Sequence, residues 1–135
     1  NPLDNILSIY RANFINVPFS SSIRDITELY IHHYGLMKSY SATYSKNLFV
    51  YNYDNVVTNP FLEIKKIIDW LGWEWTDEYT SPHKNKRSVY TASSEQVRNP
   101  IHKKSLKGWK KYEDLLQPAL ELISKNTDLK RFINL

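Results

Sequence analysis

The chain has 135 residues, 41% hydrophobic and 14% aromatic, with a formal net charge of +4. That is one domain's length, with enough apolar side chains for a core that needs no covalent staples. Cysteine is absent, which excludes disulfides and thiolate metal sites, and no stretch approaches the ~20 apolar residues of a membrane span.

The opening residues read as a helix start: Asn1 suits the N-cap, Pro2 the first helical position and Asp4 the positive end of the dipole. The spacing predicts a helix over 2–14 with Leu3, Leu7, Tyr10 and Phe14 on one stripe and Ser8 on the far side. A chain that opens without Met on such a cap reads as a piece of something longer. Pro18 breaks this helix, and Ser20 to Ser22 offer a cap for a second one over about 22–44. There Ile23, Ile26, Leu29, Tyr30, Met37 and Tyr44 recur at helical spacing and are expected in the core.

Next, 48-LFVYNY-53 follows the Lys46-Asn47 turn and is short, aromatic and β-branched, so it reads as a strand. A lone strand cannot satisfy its own backbone, so it either pairs with strands outside these residues or runs as an irregular tether. Residues 59–72 carry the clearest helix pattern: Asn59 caps, Pro60 starts, Phe61, Ile64, Ile67, Ile68 and Leu71 form the stripe, and Gly72 stops it. Residues 73–111 have no sustained period, and an amphipathic helix is expected over about 112–125. The fold class expected is therefore mostly α with one short strand.

The charge is unevenly spread. From Lys84 to Lys111 stand nine of the 18 Lys and Arg residues and only one of the 14 acids, Glu95. Ser88, Thr91, Ser93 and Ser94 supply hydroxyls there, Arg98 a bidentate fork, and Lys103, Lys104 and Lys107 point charges. With Trp109 or Tyr90 able to stack on a base, the set suits a phosphorylated nucleotide better than a bare anion. The competing readings are a solvated charged loop, a single-stranded nucleic-acid binding module and an interaction domain whose helices dock a partner. The histidines (His32, His33, His83 and His102) have no metal-ligand spacing, and three glycines make no phosphate loop.

Three blocks resemble the C-terminal half of a sulfotransferase that uses 3′-phosphoadenosine-5′-phosphosulfate (PAPS), as in bacterial tetratricopeptide-repeat sulfotransferases and protein-tyrosine sulfotransferases. NPLDNILSIYRANF looks like the family's Arg-x-Pro-x-Asp-x-x-x-Ser helix, beginning one residue after the arginine. YNYDNVVTNPFLEIKKIIDWLGWEW looks like its Tyr-Glu-x-Leu-Val…Pro helix ending in Leu-Gly-x-x-Trp, with Asp54 where Glu is usual. TASSEQVRNPIHKKSLKGWKKY is similar to Thr-Ala-Ser…Gln-Val-Arg-x-Pro-Ile…Ser-x-Gly-Arg-Trp-x-x-Tyr, with Lys107 one residue further from the tryptophan than the family's basic residue.

The resemblance implies that residues 1–135 are the C-terminal portion of an α/β P-loop-like sulfotransferase domain whose N-terminal 5′-phosphosulfate-binding portion is absent. It assigns Ser8 and Lys107 to the 3′-phosphate and Tyr53 to the adenine. Ser93 is assigned to the bridging phosphate, with Ser94, Gln96 and Arg98 wrapping the nucleotide. The implied reaction moves a sulfuryl group from PAPS to a hydroxyl of carbohydrate or protein and leaves 3′,5′-ADP (PAP), with no catalytic residue assigned within these positions. A cytoplasmic location, no nucleic-acid or membrane partner, no metal, and inactivity of the piece without its other half are the accompanying expectations.

Overall fold

Helix α1 (Pro2–Ala12) starts as its sequence suggests: Asn1 Oδ1 accepts the Leu3 N–H at 2.9 Å, and Asp4 stands in the first turn. The computed structural model describes residues 1–12, 14–90 and 94–133. Within α1, Leu3, Ile6 and Leu7 are buried and Ser8 faces outward, while Phe14 lies beyond the helix and is exposed. Ile6, outside the expected stripe, is wholly buried.

After a 3₁₀ turn at Pro18–Ser21, helix α2 (Ile23–Thr43) begins with Ser22 Oγ accepting the Asp25 N–H at 3.2 Å. Its first turns are core: Ile23, Ile26 and Thr27 are buried, and the Thr27 hydroxyl donates to the Ile23 carbonyl at 2.6 Å. Leu29 and Tyr44, expected in the core, are exposed, and so are Leu36 and Tyr40. The reason is the face they occupy: Leu29, Leu36 and Tyr40 stand at i, i+7 and i+11, away from the Ile23, Ile26, Tyr30 and Tyr34 face that meets α1 and α5 (Gln117–Lys125).

Residues 1–43 and 105–135 form one compact unit and residues 44–104 a second. In the first, α1 and α5 both pack on α2, joining Leu3, Ile6 and Ile26 to Trp109, Leu116, Ile123 and Leu129 in one buried cluster. Helix α5 starts five residues later than the periodicity predicts. Gly108–Tyr112 winds as a 3₁₀ turn, and Pro118, which has no N–H, sits in the first turn of α5.

In the second unit the expected strand does not form. Residues 48–52 are irregular, Tyr53 begins helix α3 (Tyr53–Thr58), and there is no strand among the described residues. Two local forces explain the correction. Among the described residues no strand pairs with 48–53, and Asn52 Oδ1 instead accepts the Asp54 N–H at 2.8 Å, capping a helix.

Helix α4 (Pro60–Leu71) keeps its expected bounds. Gly72 adopts φ 69°, and the Gly72 and Trp73 amides donate to Asp69 and Ile68 carbonyls, each at 3.1 Å. Asn59 precedes the helix without a side-chain capping bond. Val56, Val57 and Ile68 form the buried centre, flanked by Phe49 on Trp70 (5.6 Å) and Phe61 on Trp75 (5.0 Å). Beyond it, 3₁₀ turns at Asp77–Thr80, Pro82–Lys84 and Gln96–Arg98 carry the chain through the basic region. No described helix is long and apolar enough to cross a membrane.

Candidate functional site

Ser8 and Lys107 belong to the first unit, and the fold brings their elements together. Lys107 adopts the left-handed conformation (φ 55°, ψ 22°) and opens the 3₁₀ turn Gly108–Tyr112. Its amide donates to Asp4 Oδ2 at 3.0 Å, and the Trp109 amide donates to Asp4 Oδ1 at 2.8 Å. Trp109 is 4% exposed and anchors the turn in the core cluster. One helical turn separates Asp4 from Ser8, and Arg11 follows at the next, so the three share a face of α1. The Arg11 guanidinium lies 6.0 Å from the Tyr112 ring centroid. The segment 107–112 is thus held against α1 at two points, one on either side of Ser8.

The groups exposed there suit an anion. The Ser8 hydroxyl and Lys107 ammonium are exposed and take no partner among the described residues. Lys110 stands on the same turn, with its ammonium 5.8 Å from the Trp109 ring centroid. Both oxygens of the Asp4 carboxylate between these elements accept backbone N–H groups.

The remaining candidates lie in the second unit. Tyr53, at the start of α3 instead of the end of a strand, is 61% exposed. Ser94 and Gln96 are exposed on the approach to and within the turn Gln96–Arg98. Arg98 turns its fork inward on its own segment: Nη1 donates to the Asn85 carbonyl and Nη2 to the Arg87 carbonyl at 2.6 Å. Ser93 falls outside the described residues. Among the described residues no group of three or more His, Asp or Glu side chains gathers as a metal site.

Sequence reasoning missed Asp4 and the Asn85–Arg87 carbonyls. An acid in the first turn of a helix reads as a dipole partner, and nothing local announces that its acceptors serve amides 103 and 105 residues away. The weak signal available was Lys107-Gly108, a pair that favours a turn before a buried tryptophan.

No protein-family model matches the chain, and no solved structure matches it. It is similar to an uncharacterized protein of Aquifex aeolicus (strain VF5), 27% identical over 129 residues that cover 93% of this chain. The chain spans 17% of the length of that relative.

Proposed function

We propose that this chain is the part of a PAPS-dependent sulfotransferase that grips the adenosine 3′-phosphate, in an α/β P-loop-like fold completed by sequence outside these residues. The observation that carries the reading is the tie through Asp4. The two elements that the resemblance assigns to one phosphate, the Ser8 helix and the Lys107 turn, are joined by direct hydrogen bonds although 103 residues apart. A monoester dianion set there meets the Ser8 hydroxyl and the cations Lys107 and Arg11. Within the second unit Tyr53 is exposed, as a side chain that stacks on an adenine is.

Sulfuryl transfer resembles phosphoryl transfer in having a loose, charge-spread transition state, so holding donor and acceptor in line does much of the work. In this reading the present residues fix one end of the donor. The acceptor's base and the donors around the 5′-phosphosulfate come from elsewhere in the polypeptide, and the acceptor is a hydroxyl of carbohydrate or protein.

A second reading has its own observation: Tyr90, within the basic segment, is 94% exposed, as a base-stacking side chain would be. Calorimetric titration of the full-length protein separates the two. Tighter binding of 3′,5′-ADP than of 5′-AMP supports the sulfotransferase reading. Equal affinity for those nucleotides, with affinity for oligonucleotides that grows with their length and collapses with salt, replaces it by the second.

A further inference from the structure

The carboxylate of Asp4 stands one helical turn from the Ser8 hydroxyl, on the face expected to receive a phosphate. On charge alone it is out of place there. Its geometry resolves the conflict: Oδ2 accepts the Lys107 N–H at 3.0 Å and Oδ1 the Trp109 N–H at 2.8 Å, so each oxygen is engaged by a backbone donor. Between those donors lies Gly108, where a Cβ would come 3.6 Å from Asp4 Oδ1, so the turn runs close against the carboxylate.

Lys107 is held at φ 55°, a conformation that a non-glycine residue keeps only when its surroundings impose it. Two things impose it here: the buried Trp109 ring on one side and the Asp4 acceptors on the other.

We propose that Asp4 is a positioning residue: it folds the Lys107 turn onto α1 so that the Lys107 ammonium and the Ser8 hydroxyl converge on one phosphate ester of the ligand. The inference rests on the nucleotide reading given above and deepens it. Asp4 itself does not touch the phosphate. Its contribution is the left-handed turn, which aims a lysine that would otherwise sweep through solvent.

Asp4→Asn distinguishes positioning from electrostatics, because the two predict opposite signs. Removing a negative charge near a phosphate site should tighten binding if charge alone matters. A carboxamide, however, accepts through one oxygen only and sets an NH₂ against the second backbone N–H, so the turn opens. The test is calorimetric titration of the full-length wild type, Asp4→Asn, Lys107→Ala and the double variant with 3′,5′-ADP and with 5′-AMP. Asp4→Asn is expected to weaken 3′,5′-ADP about tenfold, the scale of one hydrogen bond to a charged group, and to leave 5′-AMP within about twofold. In the Lys107→Ala background the same substitution should cost less than about twofold, because the lysine it aims is gone.

Should Asp4→Asn not fold, Asp4→Ser keeps one acceptor at a helix start and carries the same expectations. Unchanged or tighter 3′,5′-ADP binding overturns the role of Asp4, as does an undiminished loss in the Lys107→Ala background. A preference for 3′,5′-ADP that Lys107→Ala abolishes and Asp4→Asn spares overturns that role alone. A wild type that holds both nucleotides equally overturns the nucleotide reading, and the role of Asp4 with it.

Discussion

At Arg98 the guanidinium spends two of its donors on the Asn85 and Arg87 carbonyls, closing a loop of the basic segment onto itself. At Lys107 the backbone is held and the ammonium is left over. These two cations, equal in a charge count, therefore do different things. Arg98→Ala should loosen the described residues 85–90 and 94–98, with local opening made easier by about 1.5 kcal/mol, the low end for hydrogen bonds to a charged group. Arg98→Lys should not restore the segment, since one ammonium cannot span two carbonyls as a planar fork does. Amide hydrogen exchange across 85–98 reads both effects, and unchanged exchange in Arg98→Ala would show that the fork is not what holds the loop.

Among the elements, helix α4 was legible because its punctuation is local: proline in the first turn and glycine at the stop act through adjacent residues. Gly72 carries the sharpest case. At φ 69° any side chain is strained, although an added Cβ meets nothing within 4 Å. Gly72→Ala should therefore lower stability by about 1 kcal/mol through the backbone alone, read as a shifted midpoint in urea unfolding with the slope unchanged. Residues 48–53 misled for the complementary reason. Phe49, Val50 and Tyr51 have strand-forming side chains, but a strand is a property of two segments, and Asn52 caps a helix through the Asp54 amide instead. The late start of α5 was signalled by Pro118, whereas the exposure of Leu36 and Tyr40 follows from which face of α2 its neighbours cover, which no window of sequence contains. Of the candidate site, the sequence displays the residue types but not the Asp4 tie that joins the Lys107 turn to α1.

For the whole molecule, the Tyr30 phenol ties stability to alkaline pH. Burial pushes the Tyr30 phenol above its ordinary value of 10.0, and the neighbouring Tyr34 adds to the shift. Between those two values the unfolded chain has lost a proton that the folded chain keeps. Stability from this group is thus complete below about pH 10 and falls as pH rises through the folded value. Thermal unfolding followed from about pH 9 to pH 11 should show a shallower decline in Tyr30→Phe than in the wild type, and parallel declines would assign the alkaline loss to other groups. Molecular organisation also carries a consequence in time. The unit that joins Leu3 and Ile26 to Leu116, Ile123 and Leu129 is interrupted in the chain by residues 44–104. At roughly 5–20 residues per second, a ribosome releases the first half of that core several seconds before its complement. Throughout that interval the apolar face of the nascent α1 and α2 waits for the Leu116, Ile123 and Leu129 side chains that complete its core.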